Sequence, residues 1–260
     1  MLTRILTALP LIAGFLAALL WASPELWQGI IAAILWIGGV EWARLARLEN
    51  TAAYLFASIL VLIGLTVGWL LPGQPWVFVP CGLFWIAAPW LFHQGTQLTQ
   101  KPLLLTLGML ILPTTYLAFI ELRQHAPYLL LAIVGLVAVA DSSAYFAGRQ
   151  FGKHKLAPTI SPGKTWEGVA GAILGVSLYI ALLWQFWGQN HLPASLPVLL
   201  VIAWGLLALS IMGDLFESQL KRLAGVKDSG NLLPGHGGVL DRIDSLTAAL
   251  PVAALLWWMQ

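Results

Sequence analysis

Long apolar runs separated by short polar joints make up most of this chain. The runs cover 5–21, 26–40, 52–71, 76–92, 102–120, 127–148, 167–187, 195–217 and 239–259. A helix needs about 20 residues to cross the hydrocarbon core of a bilayer. The pattern therefore predicts an all-α polytopic membrane protein of about nine transmembrane helices, with the second and ninth runs marginal as spans. Ser23-Pro24-Glu25, Pro72–Pro75 and Gly188–Ala194 read as turns, His93–Gln100 and Glu121–Pro127 as polar loops, and Arg149–Trp166 as a basic loop. The run at 5–21 follows a single Arg4 and has the outline of a signal peptide. Leu20, however, sits where cleavage would want a small residue, so an uncleaved anchor is expected. Glu41–Glu49 carries Arg44 and Arg47 and reads as an interfacial amphipathic linker.

Composition supports the membrane reading. The 260 residues are 59% hydrophobic and 9% charged, against about 25% charged in soluble domains. A net charge of +2 is too small to point to nucleic acid. The one cysteine, Cys81, allows no internal disulfide and is expected to serve packing. No Cys/His cluster suggests zinc or iron–sulfur, and the 14 tryptophans fit an interfacial belt. His93, His125, His154 and His191 read as loop residues. With the N-terminus in the cytoplasm and nine crossings, 12 of the 13 Lys and Arg residues fall on the cytoplasmic side: Arg4, Arg44, Arg47, Lys101, Arg149, Lys153, Lys155, Lys164, Lys221, Arg222, Lys227 and Arg242, leaving Arg123 opposite. The positive-inside bias thus puts every polar loop of chemical interest on the cytoplasmic side. No internal repeat is visible, which counts against a transporter built from two related halves.

The charges concentrate in Gly213–Ser245. Asp214, Glu217, Ser218 and Lys221 follow i, i+3, i+4, i+7 spacing and share one helix face. Asp241, Asp244 and Ser245 form a similar face at the start of a second helix. Between them Leu-Pro-Gly-His-Gly-Gly (233–238) resists helix formation, and its glycines let backbone N–H groups approach an anion. Carboxylates, cations and bare amides together suit a metal-bound phosphate substrate in a polar cavity at the cytoplasmic end. Asp214 and Asp241, on two helices meeting at one loop, are candidate Mg²⁺ ligands; the same spacing also fits salt bridges with Lys221 and Arg242. His236 is a candidate for phosphate contact or acid–base work.

Two upstream motifs add to this. Asp141, Tyr145, Gly148 and Arg149 share a helical face near the end of a span, where an ionisable residue is expensive; the choice is a substrate contact or a structural ion pair. In Ser161-Pro-Gly-Lys-Thr-Trp-Glu-Gly168, Gly163-Lys164-Thr165 is not a P-loop, because 158 is proline and no strand is expected before it. Ser161 is expected to N-cap a helix with Pro162 at its first position, which places Lys164 at a helix N-terminus that favours anions.

The stretch from Ser218-Gln-Leu-Lys221-Arg222 through Lys227-Asp228 to Leu233-Pro234-Gly-His236-Gly237-Gly238-Val-Leu-Asp241-Arg242-Ile-Asp244 resembles the signature of the phosphatidate cytidylyltransferases, also called CDP-diacylglycerol synthases. Asp141-x-x-Ala-Tyr-Phe-x-Gly148-Arg149 and Ser161-Pro-x-Lys164-Thr165-x-Glu167-Gly168 resemble upstream elements of the same family. The resemblance implies that 126–260 form the catalytic transmembrane region, with the signature at 218–244, and 1–125 a more variable set of N-terminal membrane helices. It implies a reaction in which CTP and phosphatidic acid give CDP-diacylglycerol and pyrophosphate in phospholipid biosynthesis, with Mg²⁺ and room for a second cation. It also implies metal ligation by Asp214 and Asp241 with Asp244 close by, contacts to CTP or phosphatidate phosphates from Lys221, Arg222, Lys227 and Arg242, and substrate contacts from Ser161, Lys164 and Thr165; with the candidates read above, Lys221 and His236 are taken as catalytic and Asp141 as a substrate contact. A homodimer is compatible with it. The nearest rival is a CTP-dependent lipid-alcohol kinase, which would release CDP; a transporter and a partner-binding scaffold are the rivals from other classes.

Overall fold

The computed structural model describes residues 2–93, 100–188, 195–233, 235 and 237–259. Among these residues it holds nine α-helices: α1 (Leu2–Trp21), α2 (Pro24–Leu45), α3 (Asn50–Leu70), α4 (Val79–His93), α5 (Lys101–His125), α6 (Pro127–Phe151), α7 (Trp166–Leu183), α8 (Leu196–Ala224) and α9 (Leu240–Trp258). Each expected apolar run became one helix. Six helices, α2, α3 and α5 to α8, are long and apolar enough to cross a membrane. The sequence expectation had α6 and α7 joined by a loop; a two-stranded antiparallel hairpin, β1 (Lys155–Ala157) and β2 (Ser161–Thr165), stands there instead. The turn expected at Gly188–Ala194 and the loop at His93–Gln100 fall mostly outside the described residues.

Polar contacts show how the helices alternate. At one end Trp42 donates its indole N–H to the Leu104 carbonyl at 2.8 Å, Arg47 donates to the Leu223 carbonyl at 3.2 Å, and Arg222 donates to the Ile160 carbonyl of the hairpin at 3.3 Å. At the other end the Gly73 N–H meets the Glu121 carboxylate at 3.2 Å and His125 packs edge-on against Trp258. There Arg123 donates to the carbonyls of Ala18, Leu19 and Ala22 at the C-terminus of α1, where a cation complements the helix dipole. The α2–α3, α6–α7 and α8–α9 junctions therefore share the first end, along with the start of α5. Arg123 stands at the opposite end, apart from the other cations.

Helix α9 is the axis of the bundle. It packs on α2, α4, α5, α6 and α8, and from Ser245 to Ala254 nearly every residue is buried. Its small Ala248, Ala249, Ala253 and Ala254 allow close packing, which within lipid is what holds helices together. The two helices come close at Gly213 of α8, where an added Cβ would stand 2.5 Å from the Asp244 carbonyl oxygen. On the far face of α8, Phe216 packs with Trp42, Phe84 and Trp85 at ring separations of 6.2, 5.5 and 5.6 Å. That aromatic cluster ties α2 and α4 to the helix whose other face is polar. Cys81 is fully buried, as a packing residue should be.

Candidate active site

A cavity of about 450 Å³ opens between α6, α7, α8 and the hairpin. Asp141, Tyr145, Gly148 and Arg149 line it from α6, on the shared face that their spacing predicts. Ser161, Lys164 and Thr165 line it from β2, and Asp214 from α8. Its floor is apolar: Ala140 and Ala144 of α6, Val169 and Ala172 of α7, Leu207 and Ile211 of α8. A charged rim over an oily floor suits a molecule with an anionic head and a hydrocarbon tail.

The hairpin corrects one expectation. Ser161 does not cap a helix; it begins β2. The N-cap of α7 is Thr165, whose Oγ1 accepts the Gly168 N–H at 3.1 Å. Pro162 disfavours helical backbone at Ser161, and Gly163 is a poor helix former, so the helix waits for Trp166. Lys164 still stands immediately before the helix start, and its ammonium pairs with Asp214 at 2.7 Å. His154, expected as a plain loop residue, closes the base of the hairpin: its Nδ1 lies 2.6 Å from Glu167 Oε1, and its backbone N–H donates to the same carboxylate at 3.2 Å.

Behind the cavity runs the polar face of α8. Ser218 donates to Asp214 at 3.1 Å. Lys221 is buried between two acids, 3.0 Å from Glu217 and 2.5 Å from Asp241. Of the two salt bridges that the spacing allowed, Lys221–Asp241 forms; Asp214 pairs with Lys164 rather than Arg242. The carboxylates of Asp141, Asp214 and Asp244 lie close enough to repel one another, with Lys164 and Arg242 offsetting the charge of Asp141. Asp244 accepts a hydrogen bond from the Ser245 N–H at 2.7 Å. Arg222 is spent on backbone carbonyls of Ile160 and Val226, while Lys227 and Arg242 are exposed. His236 lies outside the described residues.

Asp241 organises the signature loop. Its Oδ1 takes Lys221, and its Oδ2 accepts the Ser229 N–H and hydroxyl, both at 2.9 Å, and the Gly238 N–H at 2.8 Å. The loop folds back on itself through a bridge between Leu233 and Gly237. Gly237 takes φ +78°, with no room for a Cβ beside Asp241 Oδ2, so only glycine fits there.

Glu41 is the residue that sequence reasoning missed. Glu41–Leu45 had been expected as part of an interfacial linker. It is the last turn of α2, and Glu41 is 4% exposed. Its carboxylate accepts the Val239 N–H at 3.0 Å, the Leu240 N–H at 2.7 Å and the Ser229 hydroxyl at 3.0 Å. A single acid set among Val40, Trp42 and Ala43 was the only trace of this in the sequence.

Among the described residues no three His, Cys, Asp or Glu side chains gather tightly enough to hold a metal ion by themselves. Mg²⁺ does not require that, since it commonly takes one or two carboxylates and completes its shell with substrate phosphates and water. Hard oxygen donors that repel one another fit such an ion.

Comparison with known proteins points to one family. A family model described as the cytidylyltransferase family matches residues 2–259. A phosphatidate cytidylyltransferase of Pseudomonas aeruginosa is 41% identical, with 98% of this chain and 96% of the relative covered. Those of Haemophilus influenzae and Thermotoga maritima are 36% and 33% identical, over 95% and 98% of this chain and 95% of each relative. A family match that runs from α1 to the end of α9 takes in the helix axis, the hairpin, the cavity and the signature loop together: the chain belongs to the cytidylyltransferase family.

Proposed function

We propose that this protein transfers CMP from CTP to phosphatidate, giving CDP-diacylglycerol and pyrophosphate. The observation that carries the reading is the cavity itself, which brings Asp141, Arg149, Lys164 and Asp214 together above an apolar floor. Near-full-length likeness to three phosphatidate cytidylyltransferases supports it.

A phosphate monoester oxygen of the lipid attacks the α-phosphorus of CTP; the bond from that phosphorus to the bridging oxygen breaks, and pyrophosphate leaves with its electron pair. The nucleophile is already anionic near neutral pH, so no strong general base is needed. The barrier is electrostatic, an anion approaching a polyanion. Lys164 and Arg149 stand at the cavity to hold phosphate groups, with Ser161 and Thr165 offering hydroxyls. Lys221 stands behind them, and Arg222, Lys227 and Arg242 supply further positive charge at the same end. His236 keeps its role as a candidate phosphate contact. The Mg²⁺ ligands we propose come from Asp214, Asp241 and Asp244. Asp241 has both oxygens committed to protein donors, so Asp214 and Asp244 carry the proposal and Asp241 joins them only where a donor gives way. When bound, the ion offsets charge on the triphosphate and on departing pyrophosphate.

The catalytic region in this reading is 126–260, facing the cytoplasm from the inner membrane; the gathering of cations at one end of the bundle supports that orientation. Self-association as a homodimer belongs to the same family reading, and crosslinking in native membranes tests it. The deciding experiment supplies purified, detergent-solubilised protein with phosphatidate, labelled CTP and Mg²⁺, beside Asp241→Asn. Lipid-soluble cytidine label with released pyrophosphate, abolished by chelation and lost in the variant, is the expected result. Label recovered as CDP with consumption of an added lipid alcohol would move the protein to the kinases, and no Mg²⁺-dependent turnover of CTP would overturn the reading.

A further inference from the structure

Glu41 belongs to α2, far in sequence from the cavity residues, and no step of the reaction above uses it. It is nevertheless among the most fully engaged acids in the molecule. Three donors converge on its two oxygens: the N–H groups of Val239 and Leu240, where α9 begins, and the hydroxyl of Ser229. That hydroxyl also lies 2.9 Å from Asp241 Oδ2, so a single proton serves both carboxylates. Asp241 in turn holds Lys221. The backbone is shaped around this arrangement. A Cβ at Gly238 would stand 2.5 Å from both Glu41 oxygens, and one at Gly230 would collide with Oε1.

We propose that Glu41 is a positioning residue for the phosphate-handling groups: through Ser229 and the start of α9 it sets the place of Asp241, and through Asp241 that of Lys221. The chemistry of the contacts supports a specific rather than a space-filling role. A carboxylate is acceptor-only, and here it meets only donors. It lies at a helix N-terminus, where negative charge is favoured. Glutamine at 41 would keep the volume but present an N–H₂ to backbone N–H groups, leaving at least one donor buried without a partner. Asp241 would then lose the shared hydroxyl's fixed orientation, and Lys221 one of its two fixed partners.

The inference rests on the proposed transferase reading for its kinetic consequence but not for its structural one, and the experiment separates them. Glu41→Gln and Ser229→Ala are purified beside the unaltered protein. Hydrogen–deuterium exchange is followed without substrate, and KM for CTP and for phosphatidate are measured with Mg²⁺. In Glu41→Gln the amides of 229–241 are expected to exchange about tenfold faster, the loss of one charge-assisted hydrogen bond, while the α6–α7 pair is unchanged. KM rises about tenfold for at least one of the two substrates, whichever has its phosphates held by the group that Asp241 and Lys221 belong to. Ser229→Ala, which removes only the bridging hydroxyl, shifts the same KM in the same direction by a smaller factor and decides the matter if Glu41→Gln does not fold. A smaller folded fraction would lower apparent kcat with both KM values intact; that result, or unchanged exchange at 229–241, overturns the proposal. If the unaltered protein makes no CDP-diacylglycerol, the transferase reading fails while the exchange data still judge the role of Glu41.

Discussion

Lys221 shows how much of this site hangs on single charges. It is buried between Glu217 and Asp241, so its removal leaves two acids facing each other without a cation. Breaking a buried ion pair by deleting one partner costs about 3–5 kcal/mol. Lys221→Met is therefore expected to lower the thermal midpoint in detergent as well as turnover, whereas Lys164→Met, at a partly exposed pair with Asp214, lowers turnover with a smaller change in midpoint. Differential scanning fluorimetry beside the transfer assay separates the two, and equal midpoints would mean that Lys221 is not the buried partner it is here. Asp214→Asn removes a proposed cation ligand and is expected to cost about 100-fold or more in kcat, partly recovered at high Mg²⁺. A loss that no Mg²⁺ concentration relieves would take Asp214 out of the metal site.

At the level of elements, the hairpin and the α8–α9 crossing position the chemistry. Thr165 caps α7, and loss of an N-cap costs about 1 kcal/mol. Thr165→Ala is expected to loosen the start of α7 and raise KM, read as faster amide exchange at 166–169. Gly213→Ala would press a methyl group against the Asp244 carbonyl; overpacking of this kind costs about 1–3 kcal/mol and would shift Asp244 away from Asp214. A midpoint lowered with activity intact would show that the crossing tolerates the shift. These elements differ in how readable they are. The nine helices of the described residues follow from apolar runs, a property of each run alone, and Asp214, Glu217, Ser218 and Lys221 share a face because helix periodicity puts them there. The hairpin was hidden because Pro162 and Gly163 looked like a helix start, and its pairing depends on Lys155 meeting Thr165 across a turn. Glu41 was hidden for a stronger reason: its backbone partners lie 198 and 199 residues away, and no local pattern reports a contact made only when α2 meets α9.

For the molecule as a whole, the decisive property is that its two ends differ. One end holds the cavity, the hairpin, the signature loop and the cations; the other holds Arg123, spent on the carbonyls of α1. Each Lys or Arg near a span favours the cytoplasmic side, and a bundle with this asymmetry has one preferred orientation. The turn after α3, on the Glu121 side, and the hairpin after α6, on the Arg222 side, lie at opposite ends of the bundle, so the orientation can be read at two loops. Cys81 is the only cysteine and is fully buried, so Cys81→Ala gives a clean background. Lys153→Cys, exposed beside the hairpin, and Gln74→Cys, exposed in the turn after α3, then report opposite faces. In right-side-out membrane vesicles a membrane-impermeant maleimide is expected to label Gln74→Cys at once and Lys153→Cys only after permeabilisation. The reverse pattern would put the cavity on the face where CTP is not made, and the transferase reading would have to explain how its nucleotide arrives. Equal labelling of both would mean that α4 or a neighbour fails to cross, and the alternation drawn from the Trp42, Arg47, Gly73 and Arg123 contacts would be wrong at that helix.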